Sequence, residues 1–159
     1  MRLAFELALV GIVFVACTGG GSVNAQPVPF RDHGTTQQSG NDDGPRIVAG
    51  ADAAATGLVQ LAPSQDRDPA RLYIGVFAGT QRTGGYAVRV DAVERSGDRL
   101  AVRATFSAPA PGVLTIQVIT SPAQLVSIDA GAVAGVRDVV LVDQSGAERA
   151  RVPVPQGHR

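Results

Sequence analysis

Hydrophobic and polar positions alternate with a period of two through much of the second half of the chain. In residues 71–79 (RLYIGVFAG), Leu72, Ile74 and Val76 alternate with Tyr73, Gly75 and Phe77. Both faces are rather apolar, which predicts a strand in the centre of the fold. Residues 86–93 put Tyr86, Val88 and Val90 on one face and Arg89 and Asp91 on the other. Residues 100–106 set Leu100, Val102, Ala104 and Phe106 against Arg103 and Thr105. Together they predict a hairpin turning through RSGDR, residues 95–99. A two-residue turn at Ser96-Gly97 would pair Val90 with Arg103 and mix the faces. A three-residue loop over 96–98 pairs Val88 with Phe106, Val90 with Ala104 and Asp91 with Arg103, giving one apolar face and an exposed ion pair.

Beyond the hairpin, PAPG at residues 109–112 breaks the sheet, and residues 113–120 (VLTIQVIT) predict another strand with Leu114, Ile116 and Val118 facing inward. A short strand follows at residues 124–128, then a loop of small residues, then a last hairpin from residues 139–142 and 147–152 around the turn 143–146. Towards the amino terminus, RIVAG at residues 46–50 opens the folded part, and residues 52–62 predict one short helix capped by Asp52 and closed by Pro63, with Gly57 as its weak point. Residues 18–45 are rich in Gly, Ser, Thr, Gln, Asn, Asp and Pro and read as a disordered tether, with a tail at residues 153–159. The expectation is a single domain over residues 46–152, mostly β: a small antiparallel β-sandwich or partly open barrel with one short helix near its start.

The first residues bear on location. Arg2 precedes an apolar run over residues 3–16, interrupted only by Glu6, which has signal-peptide length. The run ends at Cys17, the one cysteine of the chain, in a context that resembles the lipobox of bacterial lipoproteins. Acylation of Cys17 would make residues 1–16 a signal peptide and hold the protein to the membrane by lipid. Cleavage after Ala25 by the ordinary signal peptidase is the alternative. Thr18 leans the expectation towards the outer membrane or periplasmic face. The exported domain then has no disulfides.

Hydrophobic residues make up 45% of the sequence with no Trp, so the core must be built mainly from aliphatic side chains. All fourteen basic residues are Arg, balanced by fourteen acidic ones, and no basic patch interleaved with aromatics emerges. Nucleic acid is therefore not an expected partner. The two histidines, His33 in the tether and His158 in the tail, are poorly placed to serve a nucleophile or a metal. Asp91, Glu94 and Asp98 lie beside arginines as solvated ion pairs, and no phosphate-binding or dinucleotide motif is present. The sequence predicts neither an enzyme nor a cofactor or metal.

One local feature stands apart. Residues 79–86 (GTQRTGGY) join the central strand to the hairpin, with adjacent glycines that permit close backbone approach and a Tyr at the start of the next strand. Arg82, Thr83, Gly84, Gly85 and Tyr86 are the candidate partner-binding residues. Gly79, the run Arg82-Thr83-Gly84-Gly85-Tyr86, the alternating Val88 and Val90, Pro109-x-x-Gly112 and Ser121-Pro122-x-x-Leu125-Val126-x-Ile128 together resemble the carboxy-terminal domain of PrcB, over about residues 46–128. PrcB is a lipoprotein subunit of a surface protease complex in spirochaetes. Where that family has an aromatic after the late Pro, this chain has Ala123. The resemblance implies an accessory protein that binds or stabilises a protease and is not one itself. Thr83 to Tyr86 is also similar to the loop with which chagasin-like inhibitors, immunoglobulin-like sandwiches, enter cysteine proteases. A passive envelope protein without a specific partner is the third reading.

Overall fold

The alternation of the middle segments is realised as two packed sheets. The computed structural model describes residues 25–62 and 68–155. Within them the strands are β1 (Gln26–Pro27), β2 (Phe30–Thr36), β3 (Arg46–Gly50), β4 (Arg71–Phe77), β5 (Ala87–Ser96), β6 (Arg99–Ser107), β7 (Ala123–Asp129), β8 (Asp138–Val142) and β9 (Glu148–Pro153). One sheet has the order β1-β5-β6-β8-β9 and the other β2-β7-β4-β3. Leu72, Ile74, Val76, Val126 and Ile128 from the second sheet meet Val88, Val90, Leu100, Val102, Val139 and Leu141 from the first in one aliphatic core. The predicted small β-sandwich is observed, and it is not a closed barrel. Burying each of these side chains contributes about 1.5–3 kcal/mol before the ordering entropy is charged against it.

The apolar character of both faces of β4 also has its explanation. Its second face, with Tyr73 and Phe77, packs with Leu125, Ala123, Leu58, Ala53 and Ala62 into a smaller cluster on the outside of the second sheet. Ala123 pairs with Phe77 across the β4–β7 ladder. The short helix α1 spans Ala53–Thr56; Asp52 caps it as expected, its Oδ1 accepting the Ala55 amide at 2.8 Å. The helix stops much earlier than predicted, because Gly57 takes φ 80° and turns the chain out after one turn.

Several expectations are corrected. The tether expected through residue 45 is not one over residues 26–36, which form β1 and β2, and β2 runs along β7 from Phe30↔Ile128 to Thr36↔Ala123. Residues 37–41 continue the contact, with the Ser39 amide donating to the Ser121 carbonyl and the Gly40 amide to Ser121 Oγ, both at 3.0 Å. The tail begins later than expected, since Pro153 belongs to β9 and Val154 is buried with its amide on the Arg137 carbonyl at 2.8 Å. The sheets are not wholly antiparallel, because β6 and β8 run parallel. Cys17, the apolar run before it, Pro63 and His158 lie outside the described residues.

The hairpin is correct in pairing but not in its turn. Val88↔Phe106 and Val90↔Ala104 are observed, yet Ser96 pairs with Arg99, which leaves a two-residue turn of Gly97-Asp98 with Gly97 at φ 61°. A bulge between Val90 and Ala92 restores the register, so the apolar face is kept by displacing Asp91 rather than by lengthening the loop. Asp91 consequently does not pair with Arg103. It meets Arg89 at 2.9 Å, and Arg103 meets Glu94 at 2.8 Å, on the solvent face.

At the bulge the two sheets are tied by a polar group. Gln124, 2% exposed on β7, reaches across and accepts the Val90 amide of β5 at 2.6 Å. Replacing Gln124 by Leu strands that buried donor and is expected to cost about 1–3 kcal/mol, read as a lower denaturation midpoint with an unchanged slope in urea. A second expectation concerns the last hairpin. Asp143 accepts from the Ser145 amide at 2.9 Å, the Ser145 hydroxyl at 2.6 Å and the Ala147 amide at 3.0 Å. The Ser145 hydroxyl, then the two backbone amides and nearby Arg149, hold its carboxyl below the usual carboxylate range against a partial opposing effect of desolvation. A pKa lowered in the folded state stabilises above the unfolded value and fades as pH falls through the folded one. Asp143→Ala should therefore lower the thermal midpoint at neutral pH, and its gap to wild type should narrow as the solution is acidified.

Candidate functional site

Residues 78–86 carry the chain from β4 in one sheet to β5 in the other, and residues 108–122 return it from β6 to β7. Phe77↔Ala123 and Ala87↔Ser107 are the last pairs of their ladders, so both crossings lie at the same end of the sandwich. They are bonded to each other. Gln81 and Thr120 exchange backbone hydrogen bonds of 2.7 and 3.0 Å, the Gly84 amide donates to the Ile116 carbonyl at 3.1 Å, and the Thr120 hydroxyl donates to the Thr83 carbonyl at 3.1 Å.

The first crossing is fixed at its root by close backbone packing. Gly79 has φ 79°, and a Cβ there would lie 2.1 Å from the Asp43 carbonyl oxygen. Thr80 Oγ1 donates to the Asn41 carbonyl at 3.2 Å, and buried Asn41 donates through Nδ2 to the carbonyls of Asp43 and Gly44, each at 3.3 Å. Residues 41–44, expected in the tether, are therefore the buttress of this loop. Gly85, at φ 89°, faces Pro109 and Thr115 of the other crossing, with an added Cβ meeting Pro109 Cβ at 3.1 Å.

The five candidate binding residues are together but not equally free. Arg82 and Gly85 are exposed, Thr83 and Tyr86 are half-buried, and Gly84 is buried against Ile116. Tyr86 lines a shallow groove of about 290 Å³ between the sheets' ends with Pro45, Ala78, Gln81, Phe106 and Arg149.

What sequence reasoning placed wrongly is the second crossing. Residues 113–119 form no strand, and the side chains expected in the core are exposed: Leu114 100%, Ile116 72% and Val118 41%, with Val113 and Ile119 exposed beside them. Alternation alone did not suffice, because this segment finds no ladder partner beyond its contacts with residues 81–84. A signal was present in the prolines that bracket it, Pro109, Pro111 and Pro122, and in the absence of any charged residue between Arg103 and Asp129. The result is an apolar arm braced by the Thr83-Gly84 backbone. Five of its seven residues are apolar and exposed: Val113, Leu114, Ile116, Val118 and Ile119.

His33 is the other correction. It lies in β2 rather than in a tether, its Nε2 within 2.8 Å of Ser127 Oγ and its ring 5.4 Å from Tyr73. Ser127 is fully buried mid-strand, and Arg71 Nε also donates to its Oγ at 2.8 Å. A hydroxyl so enclosed has no approach for a substrate, and the geometry makes these groups a clasp between β2, β7 and β4. Among the described residues no three His, Cys, Asp or Glu side chains converge as metal ligands would.

Residues 72–129, which run from β4 through both crossings to the end of β7, match the family model described as PrcB C-terminal. Neither a curated protein nor a solved structure matches the chain significantly. The root of the loop generates a local test. Gly79→Ala forces a side chain onto the Asp43 carbonyl and should destabilise by more than about 1 kcal/mol. Gly97→Ala, also at positive φ but facing open space, should cost only the conformational part, so Gly79→Ala is expected to give the lower melting temperature of the two.

Proposed function

Residues 72–129 belong to the PrcB C-terminal family, and from that premise we propose that the chain is a non-catalytic accessory protein of the bacterial cell envelope. It is exported, held to the membrane through an acylated Cys17, and binds a protein partner, a protease or a subunit of a protease complex. The observation that carries this reading is the apolar arm at residues 113–119, kept in water by hydrogen bonds from the Thr83 to Tyr86 loop. Apolar surface left in water forfeits the transfer free energy that burial would return, which a binding partner recovers.

The same geometry ranks the alternatives. An inhibitor that drives residues 83–86 into a cleft must present the tip of that loop. Here the Gly84 amide is engaged by Ile116 and Tyr86 turns half-buried towards the groove. A passive envelope protein has no use for a braced apolar arm. The accessory reading uses both features.

Two experiments test it. Cys17→Ser should move the protein from the membrane fraction to the soluble one, and mass spectrometry of the wild-type amino terminus should find acyl chains on Cys17; an amino terminus at Gln26 removes the anchor. Gly84→Ala with Gly85→Ala should reduce co-purification of a protease complex from solubilised envelope by at least about tenfold, the loss of a ~1.4 kcal/mol contact or more, while the domain still unfolds cooperatively. Undiminished co-purification takes the loop out of the interface.

A further inference from the structure

The place where the chain enters the domain limits what the apolar arm meets. Ala25 and Gln26 lie beside Arg95 and Gly97, at the turn end of the β5–β6 hairpin. The arm lies at the other end, past Ala87 and Ser107. Eight residues of β5 separate Arg95 from Ala87, roughly 27 Å at strand rise, and the arm projects further still. Eight residues also separate Cys17 from Ala25, and they reach at most about 28 Å when fully drawn out. Inserting the arm tip-first into the membrane that holds Cys17 would demand a completely taut link. A domain standing upright on such a link holds the arm at the end away from the membrane.

The chemistry of that surface is equally restrictive. Between Arg103 and Asp129 there is no charged residue, so the arm offers no ion pair, and Leu114, Ile116 and Ile119 are its most exposed apolar side chains. Its shape is set before binding by the Gln81–Thr120, Gly84–Ile116 and Thr83–Thr120 hydrogen bonds, which lowers the ordering cost of association. Resting on the reading of the chain as an anchored binding module, we infer that the arm is a plug: Leu114, Ile116 and Ile119 enter an uncharged, apolar cleft of a protein that faces the domain from the side opposite the membrane.

The chain has no Trp, so Leu114→Trp at a fully exposed position makes a unique reporter. In full-length acylated protein on vesicles of phosphatidylethanolamine and phosphatidylglycerol, its emission should stay at the water-exposed wavelength and resist quenching by brominated lipid. A blue shift with bromolipid quenching overturns the plug in favour of membrane insertion. Sedimentation of the same protein in detergent should give a monomer; self-association abolished by Leu114→Asp overturns it in favour of a second copy. In intact envelopes, a photoreactive side chain at position 114 should give one recurrent protein adduct, and a probe at Arg89 on the solvent face should not. The adduct should fall at least about tenfold with Ile116→Asp and stay within about twofold between ~50 and ~500 mM salt, since screening acts on charges and not on apolar burial. An adduct that weakens steeply with salt, or one that forms only at position 89, overturns the plug while leaving a binding function in place. No adduct from any surface position sinks the binding function itself.

Discussion

Val90 has no strand to donate to. At its position β5 has passed beyond the reach of β1, whose partners are Arg95 and Glu94, and the bulge at Asp91 has shifted the ladder. Gln124 supplies the missing acceptor from the opposite sheet, inside a core that is otherwise aliphatic. A bond of 2.6 Å ties the two sheets at one end of the sandwich, and its loss would leave a buried amide unmet. Gln124 stands two residues after Pro122, where one crossing ends, and Val90 stands four after Tyr86, where the other ends. The tie thus lies next to the roots of both crossings, which are themselves joined by the Gly84–Ile116 bond that braces the arm.

The parts of the fold legible in the sequence are those where a segment's own pattern decides its fate. Residues 71–77, 88–106 and 139–152 alternate, are bounded by turn residues, and pair with neighbours close in sequence or bury both faces. The hairpin shows the limit of that reasoning. Face matching found the pairs Val88–Phe106 and Val90–Ala104, but the same pairing is reached by a longer loop or by a short turn plus a bulge. Gly97, free to take positive φ in a two-residue turn, decides for the second, and Asp91 is the residue expelled. The parallel pairing of β6 with β8 lies beyond any local pattern, since it depends on a return through the 3₁₀ turn at Ala130–Val133.

Two errors have opposite causes. Phe30–Thr36 (FRDHGTT) is polar because β2 is an edge strand, so none of its residues is fully buried and its attachment comes from the backbone ladder with β7 and the His33–Ser127 clasp. Hydropathy cannot register a strand held mainly by its main chain. Residues 113–119 carry the right side chains for a strand but join neither sheet's ladder and bond instead to the neighbouring crossing. The same division runs through the two crossings. Residues 82–86 were identified from glycine chemistry, whereas the arm they support became visible only once the core was seen to close without it.

The closure of the core without residues 113–119 is what gives the arm its meaning. Val88, Leu100, Val102, Val126 and Ile128 are buried to 3% exposure or less with the arm outside. The arm is therefore not a core segment that has come loose, since these core positions are closed without it. Were it a frayed strand, bracing it through Gln81, Thr83 and Gly84 would serve nothing. Ordering a backbone residue costs about 1–2 kcal/mol, and a segment whose apolar side chains are all in water recovers little of that by itself. Conformational order spent on exposed apolar surface destabilises the isolated domain and lowers the cost of a later encounter, which places the return on that order in a complex rather than in the folded chain alone.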